Sequence, residues 1–326
     1  ITVEPESKDW TKNTTVTIKA EEVDVAGLDD TNTYEYYVST SATVLAGGTW
    51  KPYSASGTTV ELKDLNGEYY IFAKTVKDKV GNVSSQNGNT SIISGYHRFG
   101  AYKFDNTAPS KAATMTMKLD SADGTVTYNN DTWTNHSVYI ALNNDAQDVH
   151  SGVASTTYTV NGGAATSEPQ TLTSTGTYQI VVTTTDNVGL TTTRTYTIKI
   201  DKTLPTVGTM TMKLDSSTGT VTYNNDTWTN HSVYIAVNNG SDAHSGHKTT
   251  TYTVNGGEAT STAQILDPGD GNTATYTIVV TTEDKSGESY SEAGNKSTHT
   301  YTVKIDKTKP AAGTMSMTVT LDNGTT

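Results

Sequence analysis

The chain contains no cysteine, which excludes disulfide bonds, cysteine-ligated zinc and cysteine nucleophiles together. Basic residues are also scarce: 22 lysines and arginines stand against 34 acids, for a formal net charge of −12. With no basic stripe to displace counterions, nucleic acid is not an expected partner. Apolar residues make up only 33% of the 326 positions. No apolar run approaches the ~18 residues of a membrane helix, so no membrane insertion is expected in this segment. No stretch keeps a helical period for more than a turn. Signatures of hydrolases and nucleotide binders (G-x-S-x-G, H-E-x-x-H, a glycine-rich phosphate loop) are missing, and no enzyme is expected. Signal and lipidation motifs are absent as well. The opening ITVEP and the closing GTMSMTVTLDNGTT both read as cuts through a longer polypeptide.

What fills the chain instead is threonine, serine, asparagine, glycine and 19 tyrosines, arranged as repeats. Thr114 to Asn144 and Thr209 to Asn239 are the same segment twice, differing only at Ala122/Ser217, Asp123/Thr218 and Leu142/Val237. Duplication of a whole scaffold points to architecture before chemistry. Three markers fix the register: Asp105-Asn-Thr-Ala-Pro109, Asp201-Lys-Thr-Leu-Pro205 and Asp306-Lys-Thr-Lys-Pro310, spaced by 96 and then 105 residues. Each follows a strand-like run, and its proline ends the strand and stiffens the joint. Units at 1–109, 110–205 and 206–310 result, with 311–326 the first strand of a further repeat.

Within the units apolar and polar residues alternate with period two, as in Val138/Ile140/Leu142, Tyr178/Ile180/Val182 and Tyr196/Ile198/Ile200. Asn161-Gly162-Gly163 marks a hairpin turn. Threonine takes the outward positions, where a β-branched polar side chain suits a solvated strand. About seven short strands per ~100 residues predict antiparallel sandwiches. Unit 1 is a diverged cousin: Trp10-Thr-Lys-Asn13 echoes Trp133-Thr-Asn135, and Gly67-Glu-Tyr69 echoes Gly176-Thr-Tyr178. A tyrosine placed in this way resembles the tyrosine corner of immunoglobulin-like domains.

The order W-T-N, D-x-x-S-G, G-x-Y, D-x-x-G and D-K-T-x-P resembles the bacterial Ig-like (Big) repeats of very large surface adhesins. It is carried by Trp228-Thr-Asn230, Asp242 to Gly246, Asp284 to Gly287 and Asp306 to Pro310, with counterparts at Asp148 to Gly152, Asp186 to Gly189, Asp201 to Pro205 and Asp78 to Gly81. Unit 3 departs from the pattern, with Thr273-Ala-Thr-Tyr276 in place of Gly-x-Tyr and an insertion from Tyr290 to Asn295. The resemblance covers essentially the whole chain. It implies tandem immunoglobulin-like antiparallel β-sandwiches arranged end to end, at the bacterial cell surface.

Related repeats can hold Ca²⁺ at their joints through aspartates of these motifs, which makes Asp78, Asp105, Asp186, Asp201, Asp284 and Asp306 the metal candidates. A hard cation needs several oxygens, and a joint that gathers carboxylates from two units is rigidified by one. The alternative is that each aspartate caps its own turn. Intramolecular cross-links through Lys118/Lys213 or Lys199/Lys304 are disfavoured because these lysines alternate outward. His244-Ser-Gly-His247 reads as a solvated turn, and Trp10, Trp133 and Trp228 as edge-of-core packing. Trp50 and Tyr53, without counterparts elsewhere, are candidates for stacking a sugar ring.

The expected function is a structural stalk or fibre segment of a secreted, surface-attached adhesin, partnered by neighbouring repeats of the same polypeptide. The alternative is a module in which unit 1 binds surface glycan or host protein. A third class is an accessory region of a large secreted enzyme.

Overall fold

The computed structural model describes residues 1–6, 9–20, 26–43, 49–84, 91–93, 95–319 and 322. Unit 1 contains β1 (Thr2–Glu4), β2 (Trp10–Thr11), β3 (Thr14–Lys19), β4 (Glu35–Ser39), β5 (Lys51–Pro52), β6 (Thr58–Leu62), β7 (Gly67–Lys74), β8 (Ser91–Ile93) and β9 (Tyr96–Phe104). Unit 2 contains β10 (Met115–Leu119), β11 (Trp133–Thr134), β12 (Val138–Leu142), β13 (Val153–Val160), β14 (Gln170–Leu172), β15 (Gly176–Asp186) and β16 (Thr191–Ile200). Unit 3 repeats that set as β17 (Met210–Leu214), β18 (Trp228–Thr229), β19 (Val233–Val237), β20 (His247–Val254), β21 (Gln264–Leu266), β22 (Thr273–Asp284) and β23 (Lys296–Asp306). The all-β sandwich expectation holds. Among the described residues no helix is long and apolar enough to cross a membrane.

In unit 2 the sheet β10-β12-β14 faces the sheet β11-β16-β15-β13, and unit 3 copies both orders. Strand alternation decides which side chains meet between them. Val138, Ile140, Ile180, Val182, Ile198 and Ile200 are fully buried, each worth roughly 1.5–3 kcal/mol of hydrophobic stabilisation. Buried tyrosines fasten the layers by their hydroxyls, since a buried O–H left unpaired is costly. Tyr158 donates to the Glu168 carbonyl at 2.6 Å, and Tyr128 donates to Thr132 while accepting from the Lys199 amide at 2.8 Å. Tyr178 donates to the Ser174 carbonyl at 2.9 Å, the tie expected of a tyrosine corner. The hairpin after β13 turns at Asn161 (φ 49°) and Gly162 (φ 70°), left-handed values that favour this pair.

Unit 1 closes its core between β1-β3-β6 and the larger sheet β2-β9-β7-β4-β5, with β8 added along β9. It differs on the outer face of that sheet. Register places Tyr37, Phe72 and Arg98 in one row and Lys74 beside Tyr96 in the next. Phe72 is fully buried there, and Trp50 stacks on Tyr96 at 5.1 Å and meets Tyr37 at 6.0 Å. On the corresponding face of the other units Thr183 stands opposite Thr193 and Thr281 opposite Thr298 where unit 1 has Lys74 beside Tyr96, and Val181 and Val279 take the place of Phe72. Residues 311–319 form no strand, and Met315 and Met317 are exposed.

Candidate metal centres

Each unit ends by pairing its last strand in parallel with a two-residue strand that starts at a tryptophan: β2 with β9, β11 with β16, β18 with β23. That pairing delivers the marker aspartate to the end of the sandwich, where the Asp105 amide donates to Thr11 and the Asp201 amide to Thr134. Here the chain crosses to the next unit.

At the first joint, Asp105 Oδ1 accepts hydrogen bonds from the Thr107 amide and hydroxyl at 3.1 and 3.0 Å. Its Oδ2 accepts the Ser151 amide of unit 2 at 3.0 Å. Asp148 closes its own turn, taking the His150 and Gly152 amides on Oδ1 at 3.1 and 2.7 Å. Asp186 takes the Val188 and Leu190 amides on Oδ1 at 2.9 and 2.8 Å. Side-chain acceptors of this kind favour tight turns, and each turn fixes its carboxylate rigidly. One oxygen from each of Asp105, Asp148 and Asp186 then lies within 4.8 Å of the other two.

The second joint repeats the construction with Asp201, Asp242 and Asp284, again within 4.8 Å of one another. Asp201 holds Thr203 and, through Oδ2, the Ser245 amide at 3.0 Å. Asp242 takes the His244 and Gly246 amides, each at 2.9 Å. Asp284 takes the Ser286 and Asn295 amides on Oδ1 at 3.0 and 2.9 Å. A histidine borders each group: His150 and His244 lie 3.9 Å from Asp105 and Asp201. These rings pack edgewise on Trp10 and Trp133 of the preceding unit at 6.1 and 6.2 Å. The two tryptophans are therefore joint residues more than core-edge ones, and His244 is part of a joint instead of a free turn.

Asp105, Asp186, Asp201 and Asp284 are almost completely buried. Burial alone would raise the carboxyls of Asp105 and Asp201. Hydrogen bonds from Ser151 and Thr107, and from Thr203 and Ser245, outweigh it and hold both below the ordinary 3.8. Carboxylates about 5 Å apart repel by roughly 3 kcal/mol per pair at an effective dielectric of 20, so three together need a counter-charge. Asp186 Oδ2 is buried with no hydrogen-bond partner among the described residues, and a coordinated cation would satisfy it. An all-oxygen donor set suits Ca²⁺, Mg²⁺ or Mn²⁺ and not the softer metals. The residues present fit a hard cation.

Four of the six aspartates expected to bind metal are thus brought together, in two pairs. Asp78 and Asp306 belong to neither group among the described residues. Asp78 accepts Val80 and Asn82 amides and the Asn82 side chain, and Asp306 accepts Thr308 and Thr273. Both cap turns. The third member of each group, Asp148 or Asp242, was not anticipated as a ligand. The signal lay in the D-x-x-S-G motif, which recurs after each of the first two joint markers. Tyr53 is buried in the core of unit 1 against Tyr34, so its ring offers no face to a sugar, while Trp50 is half-buried.

No protein-family model matches this sequence, and no curated protein matches it. Among solved structures, the chain is similar to an adhesin described as Ca²⁺-stabilised, with which an Antarctic bacterium reaches out and binds ice. That match has 18% identity over 93% of this chain and 71% of the other, with a TM-score of 0.35. A second similar structure comes from a 1.5-MDa bacterial ice-binding adhesin, studied for its retention at the host cell surface. There the identity is 16%, over 90% of this chain and 91% of the other, with a TM-score of 0.33. Values this low assign no role to the present chain.

Proposed function

We propose that this chain is a stalk or fibre segment of a secreted, cell-surface-attached bacterial adhesin, with Ca²⁺ held at its joints. The observation that supports this most directly is the twice-built group of three aspartates, one from the unit before the joint and two from the unit after it. In this reading the divisions fall near 109, 205 and 310, the immediate partners are neighbouring repeats, and the work is mechanical, not catalytic. Asp105, Asp148 and Asp186 would hold one cation, and Asp201, Asp242 and Asp284 another. A bound cation neutralises the converging carboxylates and opposes bending between units. Each sandwich spans roughly 40 Å, so three in line reach on the order of 100 Å.

The test is thermal melting and small-angle scattering of the chain in Ca²⁺ and in chelator. Ligand at about 100 times its dissociation constant adds about 2.7 kcal/mol per site. A melting point several degrees higher and a longer maximum dimension in Ca²⁺ are expected; identical curves in both buffers would refute the calcium-stiffened stalk.

The outer face of unit 1 supports a second reading, in which this unit binds surface glycan or host protein. Tyr37, Trp50 and Tyr96 form an aromatic cluster; the other units carry threonine at the Tyr37 and Tyr96 positions and have no counterpart of Trp50. Binding on a glycan array that disappears in Trp50→Ala is the expected result, and an array without signal removes this reading for glycan.

A further inference from the structure

Among the described residues the second joint carries a contact that the first lacks. In unit 3 a 3-10 turn, Glu288–Tyr290, sends the inserted segment back over unit 2. Tyr290 packs on the core of unit 2 beside Tyr128, ring centroids 6.5 Å apart. Its hydroxyl accepts the Asn129 amide at 3.1 Å and lies 3.1 Å from the Thr132 hydroxyl. Asn135 Nδ2 donates to the Ala293 carbonyl at 3.2 Å. His136 stands between two acids, with Nδ1 2.8 Å from Asp120 and Nε2 2.7 Å from Glu292. Burial opposes charge on this ring, but the two carboxylates outweigh it and raise the imidazole above its ordinary 6.5. The segment is a strap, and unit 2 holds its receiver.

Every receiving residue lies inside the duplicated block. Unit 3 therefore carries the same set as Tyr223, Asn224, Thr227, Asn230 and His231. They are arranged alike: Tyr223 donates to Thr227 and accepts the Lys304 amide at 2.9 Å, and His231 Nδ1 lies 2.9 Å from Asp215. Only the partner differs. Among the described residues no second acid meets His231, and Trp228 is 56% exposed where Trp133 is half-buried against His244. Unit 1 has Lys12 and Asn13 where unit 2 has Asn135 and His136, and unit 2 has no insertion between Asp186 and Thr191. Receiver and strap thus occur together at one joint and are both missing from the other.

We propose that the face of unit 3 formed by Tyr223, Asn224, Asn230 and His231 is a docking surface for a second strap of the Tyr290–Asn295 type, presented by another copy of unit 3 placed after it. The incoming tyrosine packs on Tyr223 and accepts the Asn224 amide. The incoming glutamate completes a two-acid clamp on His231, a charge match that unit 3 alone leaves half made. Copying of the block accounts for the presence of the residues; the inference concerns what they bind, and it stands on the contacts at the second joint, independent of calcium.

The experiment extends residues 1–310 directly with a second copy of 206–310, alongside a control whose added copy has the strap replaced by the short turn 187–190. Amide exchange at Asn224 and the NMR resonances of the His231 ring are the readouts. With the strap, Asn224 exchange slows by about tenfold or more, and the His231 ring resonances move toward those of His136; the strapless control shows neither. Equal values in the two extended chains overturn the proposal. A chain extended only by a flexible linker and the segment 288–295 tests the same contacts without a second fold. In that chain, Glu292→Gln in the added segment is expected to return the His231 ring resonances to their unextended positions, and resonances that never move also overturn the proposal.

Discussion

At the joint between units 1 and 2, Asp186 Oδ2 is buried without a partner. At the joint between units 2 and 3 its counterpart, Asp284 Oδ2, accepts a hydrogen bond from Asn295 Nδ2 at 2.8 Å. That asparagine also donates to the Asp201 carbonyl at 2.9 Å. The two joints share their aspartates, histidine and tryptophan, yet the second gains a strap that satisfies its third carboxylate and grips the unit before it. Under the proposed calcium reading the first joint would lean on the cation more, because Asp186 Oδ2 has no hydrogen-bond partner among the described residues. Identical motifs can therefore produce joints with different contacts when a neighbouring loop changes length.

The largest test of this contrast is Asp186→Asn. In Ca²⁺ it is expected to remove about 2–3 kcal/mol from the first joint through lost binding. In chelator it should be neutral or stabilising, since Oδ1 keeps its two amides while one buried charge disappears. Melting of the variant in both buffers checks the crossing of sign; destabilisation by the same amount in each would show that no cation acts there. Asp284→Asn is expected to lose stability in both buffers, because the new amide faces the Asn295 side chain.

A smaller effect is expected from Tyr290→Ala, about 1–2 kcal/mol from the half-buried ring and its hydroxyl contacts. The loss should appear as faster amide exchange at Asn129 and wider inter-unit motion at the second joint. If the second joint stays as stiff as in the parent chain, the strap is ornamental and the comparison fails.

The smallest effect concerns pH. The His136 value is raised on folding, so its contribution is fully present below the ordinary 6.5 and is lost as pH rises through the folded value. The strap should loosen on the alkaline side, by less than ~1 kcal/mol for so accessible a pair, and Glu292→Gln should abolish the dependence. The first joint lacks this histidine-to-strap contact among the described residues and so lacks this contribution. Asp105 and Asp201 are depressed in the fold, so their share is present above 3.8 and is lost as pH falls through lower values, at both joints alike. Hydrogen exchange recorded joint by joint across pH separates the two behaviours.

Much of this was legible in the residues. Period-two alternation identified Val138/Ile140 and Ile198/Ile200 as core, and Asn161-Gly162 as a turn, because strand pattern and turn preference act over a few neighbours. Asp105, Asp186, Asp201 and Asp284 stood out for the same reason, each heading a short motif that fixes its own carboxylate. Asp148 and Asp242 were less visible as ligands. Their turns bring them beside an aspartate some forty residues earlier only after the preceding strand has paired with its tryptophan strand. Trp10 and Trp133 looked like core edges until the following unit supplied His150 and His244.

The sequence by itself determined a chain of repeated β-sandwiches with an acidic marker at each end, since period, turn chemistry and charge are local quantities. Tertiary structure alone decided which aspartates share a site, that Tyr53 lies in a core, and that a loop seven residues longer than its unit 2 counterpart reaches back to clasp the unit before it. Those outcomes depend on distances between residues far apart in the chain, which packing sets and local pattern does not encode.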